Sequence, residues 1–446
     1  MQEQLVRLLT LQDANTRTVL LGATLLGVAS AVVGCFAVLR RRALVGDAVA
    51  HAALPGICIA FFVVGDRNFA AFMIGALVVG VLAAGFVSFV KAATRIKEDA
   101  AIALAIGGFF GVGIVLSRII QNDPSGNRAG LDGFIFGKAA SMVSGDAQLI
   151  AAVAIVVLMA TGLLYKEFKI LCFDRDFATS QGWPAMGLDL GLMALVCVCT
   201  VVGLPAVGVV LMVSLLVIPA AAARFWTHRL GTMVVLAGIF GGLSGMLGTA
   251  LSATIPAPAS GLSRGWPTGP LITLVAAAFF LISLVAAPRR GIVADVVRRA
   301  SLRRRVARQN LLRRVYEMLE PGGDLSATWS VGDLGRVRMS GVGGVHGQIR
   351  RAVRAGLVEA GPEGFLLSPS GQAAAVRVVR THRLWEVFLI THAHIAADHV
   401  DRDADQIEHF LPAETLAALE AKLVESGRTP LGVPSSPHAT LGIGAN

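Results

Sequence analysis

Runs of about 20 mostly apolar residues recur along the first two thirds of the chain, and they restrict the fold more than any other feature. Crossing a hydrocarbon layer of ~30 Å takes about 20 residues of helix, because lipid offers backbone N–H and C=O groups no partner outside the helix itself. Spans are expected near residues 18–39, 43–63, 69–90, 100–120, 147–165, 187–203, 205–223, 231–251 and 270–287. The sixth and seventh are parted only by Gly203, Leu204 and Pro205, so nine spans are expected, with eight and one broken helix as the alternative. Small-residue stretches such as GALVVGVLAAG (75–85) and GGLSGMLG (241–248) suit bilayer helices whose backbones approach closely.

Charge divides the chain at the same place. Residues 1–287 carry 18 Lys+Arg and 13 Asp+Glu, whereas the much shorter 288–446 carries 21 and 16. The second part approaches the roughly 25% charged content of soluble domains and the first does not. A disordered chain, a coiled coil and a small secreted scaffold are excluded. Lys and Arg near the span ends fall 13 to 7 in favour of one side when nine spans are drawn. The positive-inside bias then puts the N-terminus outside and everything after Pro288 in the cytosol. The first apolar run lacks a basic leader and a small-residue cleavage site and ends in LRRR (39–42), so it is expected to stay as a span. All five cysteines (Cys35, Cys58, Cys172, Cys197, Cys199) lie in the apolar part and read as packing residues rather than as a metal clip.

Ionisable groups inside a bilayer are unfavourable and usually mark a pathway. Asp47 and His51 are i and i+4, on one helical face, and a carboxylate with an imidazole is a ligand pair for Zn²⁺, Mn²⁺ or Fe²⁺. The spacing equally allows Asp47 to cap the second span beside Arg42, with His51 a hydrogen-bonded bundle residue. Pro55 and Gly56 follow one turn later and weaken that helix.

The run VLRRRALVGDAVAHAALPGICIAF (38–61) resembles the permease family of ABC importers for zinc, manganese and iron. RIKEDAAIAL, GFIFGKAAS, FDRDFATSQGW, AVGVVLMVSLLVIPAAAAR and WPTGPLITLV resemble further family blocks in family order, so the likeness spans about 1–287. It implies an all-α polytopic bundle in a bacterial inner membrane, with Asp47 and His51 as metal contacts. The loop from Lys166 to Trp183, the longest expected on the cytosolic side, resembles the region that docks on the ATPase, with Phe173, Asp174, Phe177 and Trp183 as coupling residues. Implied partners are an ABC ATP-binding subunit, an extracytoplasmic metal-binding protein and a second permease subunit, identical or not. No ATP site is expected in this chain: DGFIFGKAA (132–140) lacks the first Gly of a phosphate loop and has Ala139 where Ser or Thr would hold Mg²⁺. The stretch before the WPTGP block carries no carboxylate or imidazole, unlike the zinc branch and some manganese branches of the family, which leaves the rest of the coordination shell and the choice of metal open.

Ten Arg and a single acid, Asp295, occupy 289–314, and 288–308 reads as a basic, flexible juxtamembrane linker suited to anionic headgroups or nucleic-acid phosphates. Residues 309–370 read as a winged helix-turn-helix. QNLLRRVYEML, WSVGDLGRVRM and GVHGQIRRAVRAGLV form three helices, and VEAGPEGFLLSPSG is a hairpin wing. In the third helix Val345, Ile349 and Val353 are expected to form the apolar seam, leaving Gln348, Arg350, Arg351 and Arg354 for a DNA groove. AVRVVRTHRLWEVFL (375–389) and DHVDRDADQIEHFLPAETLAALEAKL (398–423) resemble the diphtheria-toxin-repressor family of iron- and manganese-dependent repressors. That resemblance implies a helical dimerisation and metal-sensing domain over 371–437, a tail at 438–446, and operator DNA as partner. The divalent metal is then both cargo and co-repressor, with His382, Glu386, Asp405, Glu408 and His409 as regulator ligands. Asp401 stands where many members have His, and Gln309 and Asn310 replace an acid pair. His392, His394 and His399 stand nearby, as substitute ligands or as part of a solvated loop. Rival readings are a membrane-tethered metal sensor and a cytosolic domain that only restrains transport.

Overall fold

The computed structural model describes residues 14–65, 68–122, 142–255, 266–334 and 344–392, together with the isolated residues 414, 418 and 421. The chain divides into two compact units, Met1–Asp295 and Val296–Asn446.

The first unit is a bundle of helices: α1 (Ala14–Leu39), α2 (Val45–Val64), α3 (Phe69–Ala93), α4 (Glu98–Asn122), α5 (Ser144–Leu163), α6 (Tyr165–Phe173), α7 (Arg175–Ser180), α8 (Ala185–Val207), α9 (Val209–Trp226), α10 (Leu230–Thr254) and α11 (Thr268–Ala286). Eight of them are long and apolar enough to cross a membrane, and α9 is a shorter apolar helix. The nine-span expectation therefore resolves, among the described residues, into eight long helices and one short one. The break between α8 and α9 is also displaced from its expected place. Pro205 stays inside α8, and the chain turns at Gly208, at φ 91° and ψ 165°, a conformation that only glycine adopts without strain.

Packing follows the small residues. Helix α1 lies against α10, and α2 against α3 and α4. A Cβ placed on Gly241 would sit 2.2 Å from the Gly27 carbonyl oxygen, and one on Gly75 would sit 2.3 Å from that of Gly56. Both separations are shorter than any side chain tolerates, so these helix pairs touch backbone to backbone. This is van der Waals association of the kind available where lipid removes the hydrophobic drive between helices.

In the second unit, α12 (Ile292–Leu319) is continuous through the stretch read as a flexible linker. Its sequence explains the correction: no Gly or Pro falls between 292 and 319, and Arg, Ala and Leu are strong helix formers. After a short 3₁₀ turn come α13 (Val331–Leu334), α14 (Gly344–Arg354), the antiparallel ribbon β1 (Val358–Gly361) and β2 (Gly364–Leu367), and α15 (Pro369–His392). Strand register pairs Val358 with Leu367 and Gly361 with Gly364, and Trp329 adds a bridge to Phe365. Leu311, Val315, Trp329, Ile349, Val358, Leu367 and Val379 close the core. At its edge Arg383 grips both carboxylate oxygens of Glu320, one of them at 2.7 Å.

Candidate metal centre and regulator residues

Asp47 and His51 come together as their spacing requires. They lie in the first two turns of α2, with His51 Nε2 at 3.4 Å from Asp47 Oδ1. Asp47 caps nothing, because the residue preceding α2 is Leu44, which makes no side-chain cap bond, and Arg42 pairs elsewhere. The His51 ring packs edge-on against Phe110 of α4, with centroids 4.9 Å apart. Its Nδ1 is buried with no hydrogen-bond partner. An imidazole Nε2 facing a one-third-exposed carboxylate is a donor pair that a divalent transition-metal ion satisfies. Among the described residues, no cluster of three or more His, Cys, Asp or Glu adds to the pair. The stretch before the WPTGP block lies largely outside the described residues.

One group at the base of the bundle went unrecognised in the sequence. Asp189 of α8 is 1% exposed. Its two oxygens take Arg40 Nη2 at 3.1 Å and Arg42 Nη2 at 2.9 Å. Arg42 Nε reaches Glu98 of α4 at 3.4 Å, and Glu98 also holds Lys91 of α3. Arg40 Nη1 donates to the Leu171 carbonyl of α6 at 3.0 Å. The LRRR run therefore does more than set orientation: it clamps α1, α4, α6 and α8 around one buried carboxylate, in the turn that leads into Asp47. The rule that singled out Asp47, an acid inside an apolar run, applies equally to Asp189.

The segment from Lys166 to Trp183 folds into the short helices α6 and α7. Phe168 and Leu171 are fully buried and anchor it. Asp174 caps α7 by accepting from the Phe177 amide at 2.9 Å. Phe173, Phe177 and Trp183 are exposed at 64%, 50% and 41%, so three aromatic side chains stand on the outside of a two-helix corner. Burial pushes the Cys172 thiol in α6 up to about 12, with Arg40 lowering it and Asp189 raising it.

In the second unit α14 turns differently from the expected seam. Ile349, Ala352 and Gln348 are buried, Val353 is 37% exposed, and Arg350, Arg351 and Arg354 are exposed. Gln348 thus faces inward, because the helix begins at Gly344 and its buried face carries Ala352 where Val353 was expected.

His382 and Glu386 are adjacent on α15, each 2% exposed, with His382 Nε2 at 3.1 Å from Glu386 Oε1. Arg313 of α12 places Nη1 at 3.1 Å from His382 Nδ1, and its Nε donates to Glu317. A guanidinium has donors only, so Nδ1 accepts from Arg313 and Nε2–H donates to Glu386. Both ring nitrogens thereby have protein partners in this arrangement. Asp401, Asp405, Glu408, His409, His394 and His399 lie outside the described residues, as does the side chain of His392.

Comparison with known proteins bears on both units. The ABC 3 transport family matches residues 12–287, and the iron dependent repressor metal binding and dimerisation domain matches 368–435. The manganese transport system membrane protein MntC of Bacillus subtilis is 38% identical over 440 residues, 98% of each chain. The zinc transport system membrane protein TroC of Treponema pallidum is 41% identical over 287 residues, 64% of this chain and 94% of its own. Among solved structures, PsaBC from Streptococcus pneumoniae in complex with Fab aligns with a TM-score of 0.55 and 30% identity, over 65% of this chain and 97% of that one. With one family spanning most of the bundle and a relative matching from end to end, the chain belongs to the ABC 3 family of metal-transport permeases and carries an iron-dependent-repressor-type domain behind its bundle.

Proposed function

We propose that this chain is the permease subunit of an ABC importer for a divalent transition metal, Mn²⁺, Fe²⁺ or Zn²⁺, and that Asp47 and His51 contact the metal in transit. The observation that carries the assignment is the pairing of His51 Nε2 with the Asp47 carboxylate at 3.4 Å on one face of α2, with the ring's other nitrogen buried and unpartnered. The metal arrives from an extracytoplasmic binding protein. A separate ATP-binding subunit docks on Phe173, Phe177 and Trp183, whose helix Asp174 caps, and a second permease subunit, identical or not, completes the pathway. Alternating access around a site between helix groups is the physical scheme such a pair suits. The C-terminal unit faces the cytosol of a bacterial inner membrane protein. Residues 309–370 are a winged helix in this reading, with Arg350, Arg351 and Arg354 of α14 available to operator DNA, and 371–437 a dimerisation domain.

Radiolabelled Mn²⁺ and Zn²⁺ uptake by the full complex in proteoliposomes tests the pathway. Asp47→Ala and His51→Ala are each expected to lower uptake at least the roughly tenfold that loss of even an outer partner costs a metal site. Uptake at the wild-type rate in Asp47→Ala refutes the assignment. A mobility shift of the chain's own promoter by the full-length protein, lost in Arg350→Ala, tests the regulator.

A further inference from the structure

Helices α12 and α14 enclose a cleft of about 570 Å³ whose walls carry Arg304, Arg305 and Arg308 from one side and Gln348, Arg351 and Arg354 from the other. A smaller cavity of about 290 Å³ shares Arg304 and Arg351 and adds Arg299 and Arg303. No Asp or Glu is among the described residues lining either. The Gln348 side chain, 5% exposed, keeps its carbonyl oxygen buried without a partner.

We propose that this cleft binds a phosphate group. Five guanidinium groups facing one concave space raise a positive potential that favours an anion there. The planar fork of Arg matches phosphate oxygens bidentately, which a single carboxylate would use only in part. The volume lies within the range of small-molecule sites, and none of the lining residues is aromatic, so the phosphate itself is what the cleft recognises. Gln348 fits the same purpose. Its amide presents either the carbonyl or the NH₂ on a flip, and the NH₂ donates to an anionic oxygen that no protein group now supplies. Two sources share this chemistry, a soluble pyrophosphate or nucleotide polyphosphate and the headgroup of an anionic phospholipid. Neither depends on α14 binding DNA.

Binding of radiolabelled inorganic pyrophosphate to the full-length chain in phosphatidylcholine nanodiscs tests the proposal. Saturable binding is expected, weakened about tenfold by Arg304→Ala and by Arg351→Ala, the loss of one charged hydrogen-bond donor each. Arg304→Lys, which keeps the charge and the helix, weakens it less. Arg298→Ala removes the same charge from α12 outside the cleft and leaves binding unchanged. Repeating the measurement in phosphatidylglycerol nanodiscs separates the sources: loss of pyrophosphate binding there assigns the cleft to a lipid headgroup, and retention assigns it to a soluble anion. Absence of saturable binding in phosphatidylcholine, or equal weakening by Arg298→Ala, overturns the site.

Discussion

Replacing Asp189 by Asn keeps the shape of the side chain and removes the charge that two buried arginines share. Asp189 is 1% exposed, and the side chains of Arg40 and Arg42 are 14% and 10% exposed, so solvent screens little of the interaction. Removing one partner of a buried pair costs about 3–5 kcal/mol, mostly through the charge left behind. Here Arg42 retains Glu98 and Arg40 retains the Leu171 carbonyl, so the lower end applies. A loss of about 3 kcal/mol shifts the unfolding midpoint of a chain this large by about 3 °C. Thermal unfolding of the purified, detergent-solubilised protein, followed by fluorescence-detected gel filtration, reads that shift. A cycle with Arg42→Ala isolates the pair: the double variant is expected to fall short of the summed single losses by about 2 kcal/mol. A midpoint within about 1 °C of wild type for Asp189→Asn, or strict additivity in the cycle, refutes the clamp, since residues in one ion-pair network couple.

The same carboxylate adds to the effect of burial on a neighbouring thiol. With Cys172 pushed up to about 12, its folded form keeps the proton, and only about one part in ten thousand is thiolate at pH 8. A variant retaining only Cys172 is therefore expected to react with maleimide far more slowly than an exposed thiol, and faster once Asp189→Asn removes the charge that disfavours the thiolate. Gly241→Val forces a side chain into the Gly27 backbone and is expected to lose at least about 3 kcal/mol of stability, whereas Gly85→Ala, which meets nothing within 4 Å, stays within about 1 kcal/mol. Arg313→Ala leaves His382 and Glu386 buried without the guanidinium on Nδ1. Hydrogen exchange of α15 is expected to be accelerated in the variant, and exchange at the wild-type rate would contradict the arrangement.

The apolar helices were legible because a lipid-length run specifies its own structure without tertiary help, and the Asp47–His51 contact was legible because it is a local i, i+4 relation. Asp189 lies 149 residues from Arg40, and nothing in its surroundings names that partner. The site of the break after α8 was misjudged because Pro205 is the stronger sequence signal, whereas a bundle accommodates a proline and the turn waits for Gly208. The α12 helix was readable and was missed: a dense run of Arg suggests repulsion and flexibility, yet its propensity is helical. The inward turn of Gln348 was hidden because Ala352 and Val353 compete for one face of a short helix, and the deciding contacts come from elsewhere in the fold.

The touching glycines divide the bundle mechanically. Two helices whose backbones meet, as α1 and α10 do at Gly27 and Gly241, or α2 and α3 at Gly56 and Gly75, have no side-chain layer on which to slide. Shear between them would open a gap along the whole crossing, so each pair moves as one body and motion is left to the points that lack such contact. Gly208, between α8 and α9 at φ 91°, has the backbone freedom a hinge requires.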